Sequence, residues 1–385
     1  MDFRLSEQQR AVQKMARDFV AQEIIPHASE WEKNFEIPRS VIDKMAKHGM
    51  LGGPIPKQYG GAGMDFVSYY LMEEEIARGS ASLKTTVAVQ TSLAESTFLN
   101  YGTEEQKMKY LVPLAKGQKI GAFALTEPNV GSDAMSIETT AKLKGNEWVI
   151  NGTKRFISNG DIADVVILMA TNDRKKRDLG ICAFILEKGT PGFGYGKVLT
   201  KEKLGLRCSH TAELVLDDCR IPRENIIAGE GRGWEIAMRA MDHGRLSVAA
   251  GAVGIARGCL EESMKYSKQR SAFGKPISSF QLIKEMIADM ATEIDAGRLM
   301  YLRAAHMADL GQGNTLQVSM AKLYNAQMVM RVADKAIQIH GGYGFSGDFP
   351  VERYYRDARI CGIYEGTNEI QKLIISRELT EKTNE

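Results

Sequence analysis

The chain has 385 residues. A single hydrophobic core rarely organises a chain of that length, so two or three domains are expected. Hydrophobic residues make up 44% of the sequence and charged residues 25%, as in an ordinary globular enzyme. The net charge of +2 argues against a nucleic-acid-binding protein, because such proteins carry a strongly basic face. The longest run of like charge, residues 174–177, is interpreted as a solvated hairpin loop.

No stretch approaches the ~20 apolar residues of a membrane span, and the first ten residues lack the apolar core of a signal peptide. The five cysteines are scattered without a CxxC pair, and the six histidines show no ligand spacing. The sequence therefore predicts neither disulfides nor a metal site. A reducing, cytoplasmic location is expected, with a processed mitochondrial matrix protein as the alternative.

The first domain, residues 1–120, is predicted to be helical. Its first helix begins with a capping box in which Ser6 is followed by Gln9, and Thr103 with Gln106 repeats the pattern. Apolar residues at positions 12, 15, 16, 19 and 20 follow the helical period. The glycines and prolines of residues 52–65 predict a loop.

The second domain, residues 121–230, is predicted to be an antiparallel β-sandwich or barrel. Four β-rich runs, EWVINGTKRFISNG, DVVILMATN, GICAFILEK and TAELVLDDCRIP, are separated by turn residues. These strands do not alternate with helices, which argues against a doubly wound nucleotide-binding sheet.

The third domain, residues 231–385, is predicted to be a helical bundle. A long segment without proline begins at Gly233, and three further segments show helical periodicity. Long helices with short connections are typical of an antiparallel four-helix bundle. The predicted fold class is therefore α+β multidomain, with helices, then a β domain, then a bundle.

Three local patterns bear on function. Residues 342–347, GYGFSG, match GxGxxG but lack the strand before and the helix after, so we interpret them as a turn whose glycines admit a phosphorylated ligand. Residues 124–133, ALTEPNVGSD, gather hydroxyls and free N–H groups at a domain junction, where ligands often bind. Glu365 stands among apolar residues, either as a desolvated base or as an ion-paired structural carboxylate.

The sequence resembles the acyl-CoA dehydrogenase family over essentially its whole length. The resemblance is carried by YGGAGMD, LTEPNVGSD, GTKRFISNG, RSAFGKPISSFQ, QIHGGYGF and IYEGTNEIQ, in that order. Family members are FAD-dependent enzymes that oxidise acyl-CoA thioesters to enoyl-CoA. The YEGT motif implies that Glu365 is the base that removes the α-proton while flavin N5 accepts the β-hydride. Some members take the base from a bundle helix, just before an arginine, but that position here is Gly244.

The resemblance also implies the FAD contacts and the assembly. One group lies beside the flavin ring and pyrophosphate, a second is the ADP-binding segment that reaches the FAD of a neighbouring subunit, and a third follows the base. The first group is Leu125, Thr126, Ser132, Phe156 and Ser158. The ADP-binding segment is Arg270, Phe273 and Gln281, and its counterpart is Gln338, Gly341 and Gly342. The third group is Thr367 and Glu369. Many members have tryptophan where Phe156 stands. Shared sites imply an obligate oligomer, usually a homotetramer.

The acyl substrate is the least determined part. The residues implied to lie near acyl-CoA are Lys84, Ser132, Asp242, Arg245, Tyr364 and Gly366. Asp242 and Arg245 have a helix-surface ion pair as their alternative. Gly244 and the EGT base favour a short-chain, butyryl-type substrate. Lys84 lies near the position where glutaryl-CoA members carry an arginine, so a dicarboxyl acyl-CoA stays open, as do alicyclic ones. The alternative for Lys84 is an exposed lysine at a helix end.

The resemblance implies electron-transferring flavoprotein as the electron acceptor. Two other function classes remain open. An acyl-CoA oxidase would pass electrons from the same fold to oxygen, and a flavoprotein without catalysis would keep the fold alone. The retained Glu365 argues against the second of these.

Overall fold

The computed structural model describes residues 4–381. The N-terminal region is helical: α1 (Glu7–Phe19), α2 (Ala28–Asn34), α3 (Arg39–Lys47), α4 (Phe66–Gly79), α5 (Ala81–Ala88), α6 (Ser96–Tyr101), α7 (Glu104–Gln106) and α8 (Val112–Ala115). Both predicted capping boxes are present, with the Ser6 hydroxyl accepting from the Gln9 N–H and the Thr103 hydroxyl accepting from the Gln106 N–H. Short π-helical segments, Val20–Ile24, Val89–Glu95 and Lys107–Leu111, extend or join these helices.

The central region is a sheet of eight strands: β1 (Gly121–Ala124), β2 (Thr140–Lys144), β3 (Glu147–Ser158), β4 (Val165–Thr171), β5 (Ile181–Glu187), β6 (Phe193–Leu199), β7 (Thr211–Pro222) and β8 (Ile226–Ile227). Seven strands follow the order β6-β7-β3-β2-β4-β5-β8, and the eighth, β1, pairs with β4 outside this order. The charged run at residues 174–177 is exposed in the connection between β4 and β5, as predicted.

Two strand pairings differ from the antiparallel expectation. β1 runs parallel to β4, with Gly121 opposite Val165, and β2 meets β4 in parallel at Thr140. The β2–β3 hairpin lies between β1 and β4 in sequence, which gives the chain the length that a parallel crossover needs. The other pairings are antiparallel.

The C-terminal region contains the predicted long helices: α9 (Gly233–Gln269), a small hairpin of β9 (Ser271–Ala272) and β10 (Lys275–Pro276), α10 (Gln281–Asp309), α11 (Thr315–His340), α12 (Gly342–Phe345), α13 (Val351–Ala358) and α14 (Asn368–Thr380). The GYGFSG segment is thus not only a turn, because it includes the single-turn helix α12. A 3₁₀ turn, Arg359–Gly362, precedes the Glu365 loop.

Helix α9 connects the three regions. Gly233 at its start lies against the backbone of Cys182 in β5, and Gly254 in its second half lies against α4. A β-carbon on Gly254 would be 2.1 Å from the Glu74 carbonyl oxygen, so the two helix backbones approach closely. One apolar core is shared by α4, α5, α9, α10 and α11, and a second lies between the sheet and the N-terminal helices.

Within residues 4–381, no helix is both long and apolar enough to cross a membrane. The same residues contain no group of three or more His, Cys, Asp or Glu side chains placed to hold a metal ion.

Candidate active site

Glu365 lies in the loop between the 3₁₀ turn and α14. Its backbone is left-handed, with φ 55°, and Gly366 follows with φ 82°. The residue is partly exposed, but its Oε2 atom is buried and has no hydrogen-bond partner among the described residues. Its backbone N–H also donates to no group in that part of the chain. An unpartnered carboxylate and an unpartnered N–H therefore belong to one residue.

The ionisation of Glu365 is set by burial and by three cations. Burial raises the pKa of the Glu365 carboxyl to about 7, while Arg245, Lys84 and Lys322 oppose the shift, in that order. None of the three forms an ion pair with the Glu365 carboxylate within residues 4–381. The alternative interpretation of Glu365 as an ion-paired structural acid therefore does not fit its surroundings.

The loop backbone is held by side chains from three helices. Arg245 of α9 donates Nε to the Glu365 carbonyl at 3.3 Å. Gln371 of α14 donates to the carbonyls of Glu365 and Gly366 at 3.2 and 3.0 Å. Lys322 of α11 donates to the Gly366 carbonyl at 2.8 Å. All three side chains are buried, so the left-handed turn is fixed by the surrounding structure.

One face of α9 supports both Glu365 and Lys84. A β-carbon on Gly244 would lie 2.4 Å from Oε2 of Glu365, and one on Gly251 would lie 3.0 Å from Cε of Lys84. Between them, the Ser247 hydroxyl accepts from Lys84 Nζ at 2.6 Å. Residues three and four apart share a helix face, so the carboxylate and the ammonium lie over adjacent positions of one stripe.

Lys84 is buried, with 3% of its surface exposed, so the alternative of an exposed lysine at a helix end is wrong. Its burial follows from tertiary packing of α5 against α9, which residue type alone does not reveal. Burial raises the pKa of the Glu73 carboxyl on α4, and the nearby charge of Lys84 opposes that shift. Lys84 therefore lies close enough to a second buried carboxylate, Glu73, to favour its ionised form.

Asp242 and Arg245 form an ion pair at 2.8 Å, but not a surface pair, since the Arg245 side chain is only 6% exposed. The Thr315 hydroxyl donates to the second oxygen of Asp242 at 3.0 Å. Arg245 thus joins Asp242 to the Glu365 loop. Tyr364 packs against the apolar core beside that loop.

The loop after β1 is held by a buried ion pair. Lys154 of β3 pairs with Glu127 at 2.6 Å and donates to the Leu125 carbonyl at 3.0 Å. The Arg155 N–H donates to the Thr126 carbonyl at 2.9 Å. Ser132, further along the loop, is exposed, and a β-carbon on Gly131 would meet nothing within 4 Å.

A β-bulge pushes Phe156 out of the sheet. The β3–β7 register shifts between Lys154 and Ile157, and Phe156 has φ 60° with 57% of its surface exposed. Ser158 lies two residues on, paired with Thr211. Bulges of this kind often direct a side chain into a site.

A second group of predicted residues lies beyond the C-terminal end of α9. Arg270, Gly341 and Gly342 line a cavity of about 600 Å³. His340 also lines it and has a buried Nε2 without a partner among the described residues. A β-carbon on either glycine would meet nothing within 4 Å, so the backbone is open to a ligand.

The remaining predicted cofactor residues are exposed or act as caps. Phe273 is at the tip of the β9–β10 hairpin with 95% of its surface exposed, and Gln281 and Gln338 are exposed on α10 and α11. The Thr367 hydroxyl caps α14 by accepting from the Ile370 N–H, and Glu369 is exposed in the first turn. None of the β-domain residues lines the cavity near Arg270.

These features fit a bound dinucleotide. The β domain offers an exposed ring and an open Gly131 backbone, and the α11–α12 junction offers open glycines beside an arginine, which suits phosphate. The β domain packs against the start of α9, whereas the α11–α12 junction lies beyond its other end, and the 37 residues of α9 span about 55 Å.

Two residues at the site, Lys322 and Gln371, did not emerge from the sequence. Lys322 lies on the buried face of α11 together with Val318, Asn325 and Val329. A lysine within that apolar period is a signal that would have identified it. Gln371 carries no comparable signal.

Sequence models of three domains match the chain: acyl-CoA dehydrogenase, N-terminal domain, at residues 6–118; middle domain, at residues 122–219; and C-terminal domain, at residues 231–380. A short-chain specific acyl-CoA dehydrogenase of Clostridium acetobutylicum is 46% identical over 379 residues, covering 98% of this chain and 100% of the relative. An acryloyl-CoA reductase (NADH) of Anaerotignum propionicum is 44% identical, covering 99% and 97%.

Solved structures agree with these matches. Butyryl-CoA dehydrogenase from Megasphaera elsdenii superimposes with a TM-score of 0.96 at 42% identity, covering 98% of this chain and 100% of that chain. A chain in a structure described as the electron transferring flavoprotein of Acidaminococcus fermentans gives 0.97 at 44%, covering 99% and 100%. A glutaryl-CoA dehydrogenase from Mycobacterium smegmatis in complex with FADH2 gives 0.93 at 33%, covering 98% and 95%. Sequence and structure together show that the chain belongs to the acyl-CoA dehydrogenase family.

Proposed function

We propose that this enzyme uses FAD to oxidise short acyl-CoA thioesters to trans-2-enoyl-CoA, with Glu365 as the base. The observation that carries the proposal is the buried Oε2 of Glu365, which has no partner among residues 4–381 and a pKa of about 7. A carboxylate with that pKa is a stronger base than one in water and is ionised at neutral pH in a substantial fraction of molecules.

The chain's own groups account for the proton and for the developing negative charge. Glu365 removes the α-proton, and its free backbone N–H is available to the thioester oxygen as charge develops there. The carbonyl contacts of Arg245, Gln371 and Lys322 keep the loop in place. FAD, when bound, accepts the β-hydride.

The substrate is proposed to be short and to lack a distal carboxylate. Lys84 is the cation that a dicarboxyl acyl group would need, but its ammonium already donates to Ser247 and favours the ionised form of the buried Glu73. A second carboxylate would compete with Glu73 in a buried space. The similarity to short-chain and butyryl-type relatives supports the same choice.

Electron-transferring flavoprotein is the proposed acceptor, supported by the similarity to a chain in the Acidaminococcus structure. A homotetramer that completes each FAD site between neighbouring copies is proposed from the separation of the two cofactor groups along α9. Reduction of an enoyl-CoA is a second candidate, favoured by the similarity to an acryloyl-CoA reductase.

The test is an anaerobic flavin spectrum of the purified protein with butyryl-, isobutyryl-, hexanoyl-, glutaryl- and cyclohexanecarboxyl-CoA. Rapid bleaching by butyryl-CoA, and none in the Glu365→Gln variant that still binds FAD, is the expected result. If the FAD-loaded protein is bleached by none of the five thioesters, the proposal is contradicted. Oxygen consumption during turnover would identify an oxidase instead, and NADH-dependent loss of acryloyl-CoA would identify a reductase.

A further inference from the structure

Lys322 of α11 is a fully buried lysine that forms no ion pair within residues 4–381. Burying an ammonium group is costly unless other groups compensate the charge. Its acceptors are the Gly366 carbonyl at 2.8 Å and Asn368 Oδ1 at 3.5 Å, both in the loop and helix start that follow Glu365. A buried cation thus donates its hydrogen bonds to the segment that carries the proposed base.

The Gly366 carbonyl receives two donors, because Gln371 Nε2 also reaches it at 3.0 Å. The preceding Glu365 carbonyl likewise receives two, from Arg245 and Gln371. A carbonyl oxygen has two lone pairs, so both are fully used. This saturation coincides with the left-handed backbone of Glu365, a conformation that a non-glycine residue keeps only when its surroundings hold it there.

We propose that Lys322 is a positioning residue for Glu365: it anchors the Gly366 carbonyl, fixes the left-handed turn from which the carboxylate projects, and places a buried positive charge beside that carboxylate. The inference rests on the proposed function, because it assigns Glu365 as the base.

The charged groups around Glu365 come from three packed elements. Arg245 of α9, Lys84 of α5 and Lys322 of α11 all favour its ionised form. Lys322 in turn faces Cys361, Glu365 and Glu369, as well as the positive Arg245, and burial lowers its own pKa to about 8. Removing the Lys322 charge should therefore make Glu365 harder to ionise, whereas removing an uncharged anchor should not.

Two variants separate anchoring from charge. Lys322→Gln keeps a hydrogen-bond donor and removes the charge. Gln371→Leu removes donors to both carbonyls and leaves the charges alone. Lys335→Met is the matched control, because Lys335 lies on the same helix and pairs with Asp289 at the surface. FAD content and melting temperature are recorded for every variant.

In Lys322→Gln, the acid limb of the pH profile of kcat should move up by about one pH unit. In Gln371→Leu, kcat should fall by about 10²-fold with the acid limb in place, because a misplaced base is slow at every pH. Lys335→Met should match the wild type in both. An acid limb in Lys322→Gln that coincides with the wild type overturns the inference.

A second measurement needs no turnover. The protonated carboxyl of Glu365 can be titrated by infrared absorption, with Glu365→Gln as the blank. Suppose that the wild type oxidises no acyl-CoA, but that Lys322→Gln raises the pKa at which Glu365 titrates. The proposed function then fails and the positioning role stands. If the enzyme is active but Lys322→Gln changes neither the acid limb of kcat nor the infrared titration of Glu365, the positioning role fails and the function stands.

Discussion

A β-carbon added to Gly244 of α9 would lie 2.4 Å from Oε2 of Glu365. A nonbonded carbon and oxygen do not approach that closely, so Gly244→Ala must displace the carboxylate. We expect kcat to fall by about 10²-fold while FAD binding is unchanged, since a displacement of about 1 Å can have that effect. Steady-state kinetics with butyryl-CoA provide the measurement.

The control for that experiment is Gly313→Ala, because a β-carbon there meets nothing within 4 Å. Equal kcat values for Gly244→Ala and Gly313→Ala would show that Glu365 does not reside over Gly244 during turnover.

The activity should depend on pH through Glu365. Its pKa is raised from 4.5 to about 7, chiefly by burial, and only the ionised form accepts a proton. We therefore expect kcat to rise with pH through about 7 and then level off, as measured in buffers of constant ionic strength. A profile that is flat between pH 5 and 8 would remove Glu365 from the role of base.

The raised pKa of Glu365 also affects the stability of the fold: activity should rise with pH, whereas the stability that Glu365 contributes should fall. Because the folded state holds the Glu365 proton to a higher pH than the unfolded state, the stability it contributes is present below about 4.5 and is lost as pH rises to about 7. Relative to the wild type, Glu365→Gln should melt at a higher temperature near pH 8, and the gap should close near pH 4. A gap that grows as pH falls would contradict the shift.

Replacing Lys84 should affect butyryl- and glutaryl-CoA alike. Lys84→Met removes the donor to the Ser247 hydroxyl and the cation that favours ionisation of the buried Glu73. We expect the protein to lose stability and KM to rise by a similar factor for both thioesters. A rise for glutaryl-CoA alone would show instead that Lys84 recognises a distal carboxylate.

The Lys154–Glu127 ion pair should stabilise the fold and slow the release of FAD. Lys154→Gln leaves Glu127 buried without a counter-charge, a change that costs about 3–5 kcal/mol in comparable buried pairs. It also loosens the Leu125 carbonyl. A lower melting temperature and faster FAD release are expected. The double variant Lys154→Met/Glu127→Leu should recover part of the melting temperature, since no charge stays buried.

Phe273 should matter for the assembly and not for the fold of one chain. It is 95% exposed at a hairpin tip, so Phe273→Ser removes no contact with the core. We expect this variant to retain less FAD or to form smaller particles, as measured by light scattering and flavin absorbance. Leu179→Ser, at a residue 68% exposed beside β5, is the control that should change neither. A normal assembly with normal FAD content in Phe273→Ser would contradict a shared site.

Strongly periodic segments and local caps could be predicted from the sequence. The long helix from Gly233 and the capping residues Ser6 and Thr103 depend on neighbours in sequence, and the structure confirms them. Strands β1 and β6 were not among the predicted runs, because GAFA has no β-branched residue and FGYGKVL contains two glycines. Their pairing comes from tertiary context, which outweighs β-propensity.

The candidate site, like the fold, could be predicted from the sequence only where it depends on neighbouring residues. An acid within an apolar run was visible at Glu365, but its left-handed backbone and the donors that hold its carbonyl were not, because they come from residues more than a hundred positions away or from another helix. Lys84 was expected to be exposed if it did not contact substrate. Its burial depends on the small residues Ser247 and Gly251 of α9, which only the packed helices bring beside it.

The close approach of α9 to α4 has a consequence for how the molecule folds. Four glycines interrupt the interior of α9, at positions 244, 251, 254 and 258, and each weakens an isolated helix by about 1 kcal/mol relative to alanine. The helix therefore depends on its neighbours for stability, and Gly254 admits the α4 backbone at a distance that no larger residue allows. The N-terminal helices and the bundle should thus unfold as one cooperative unit, and residues 231–385 expressed alone should lack a stable α9.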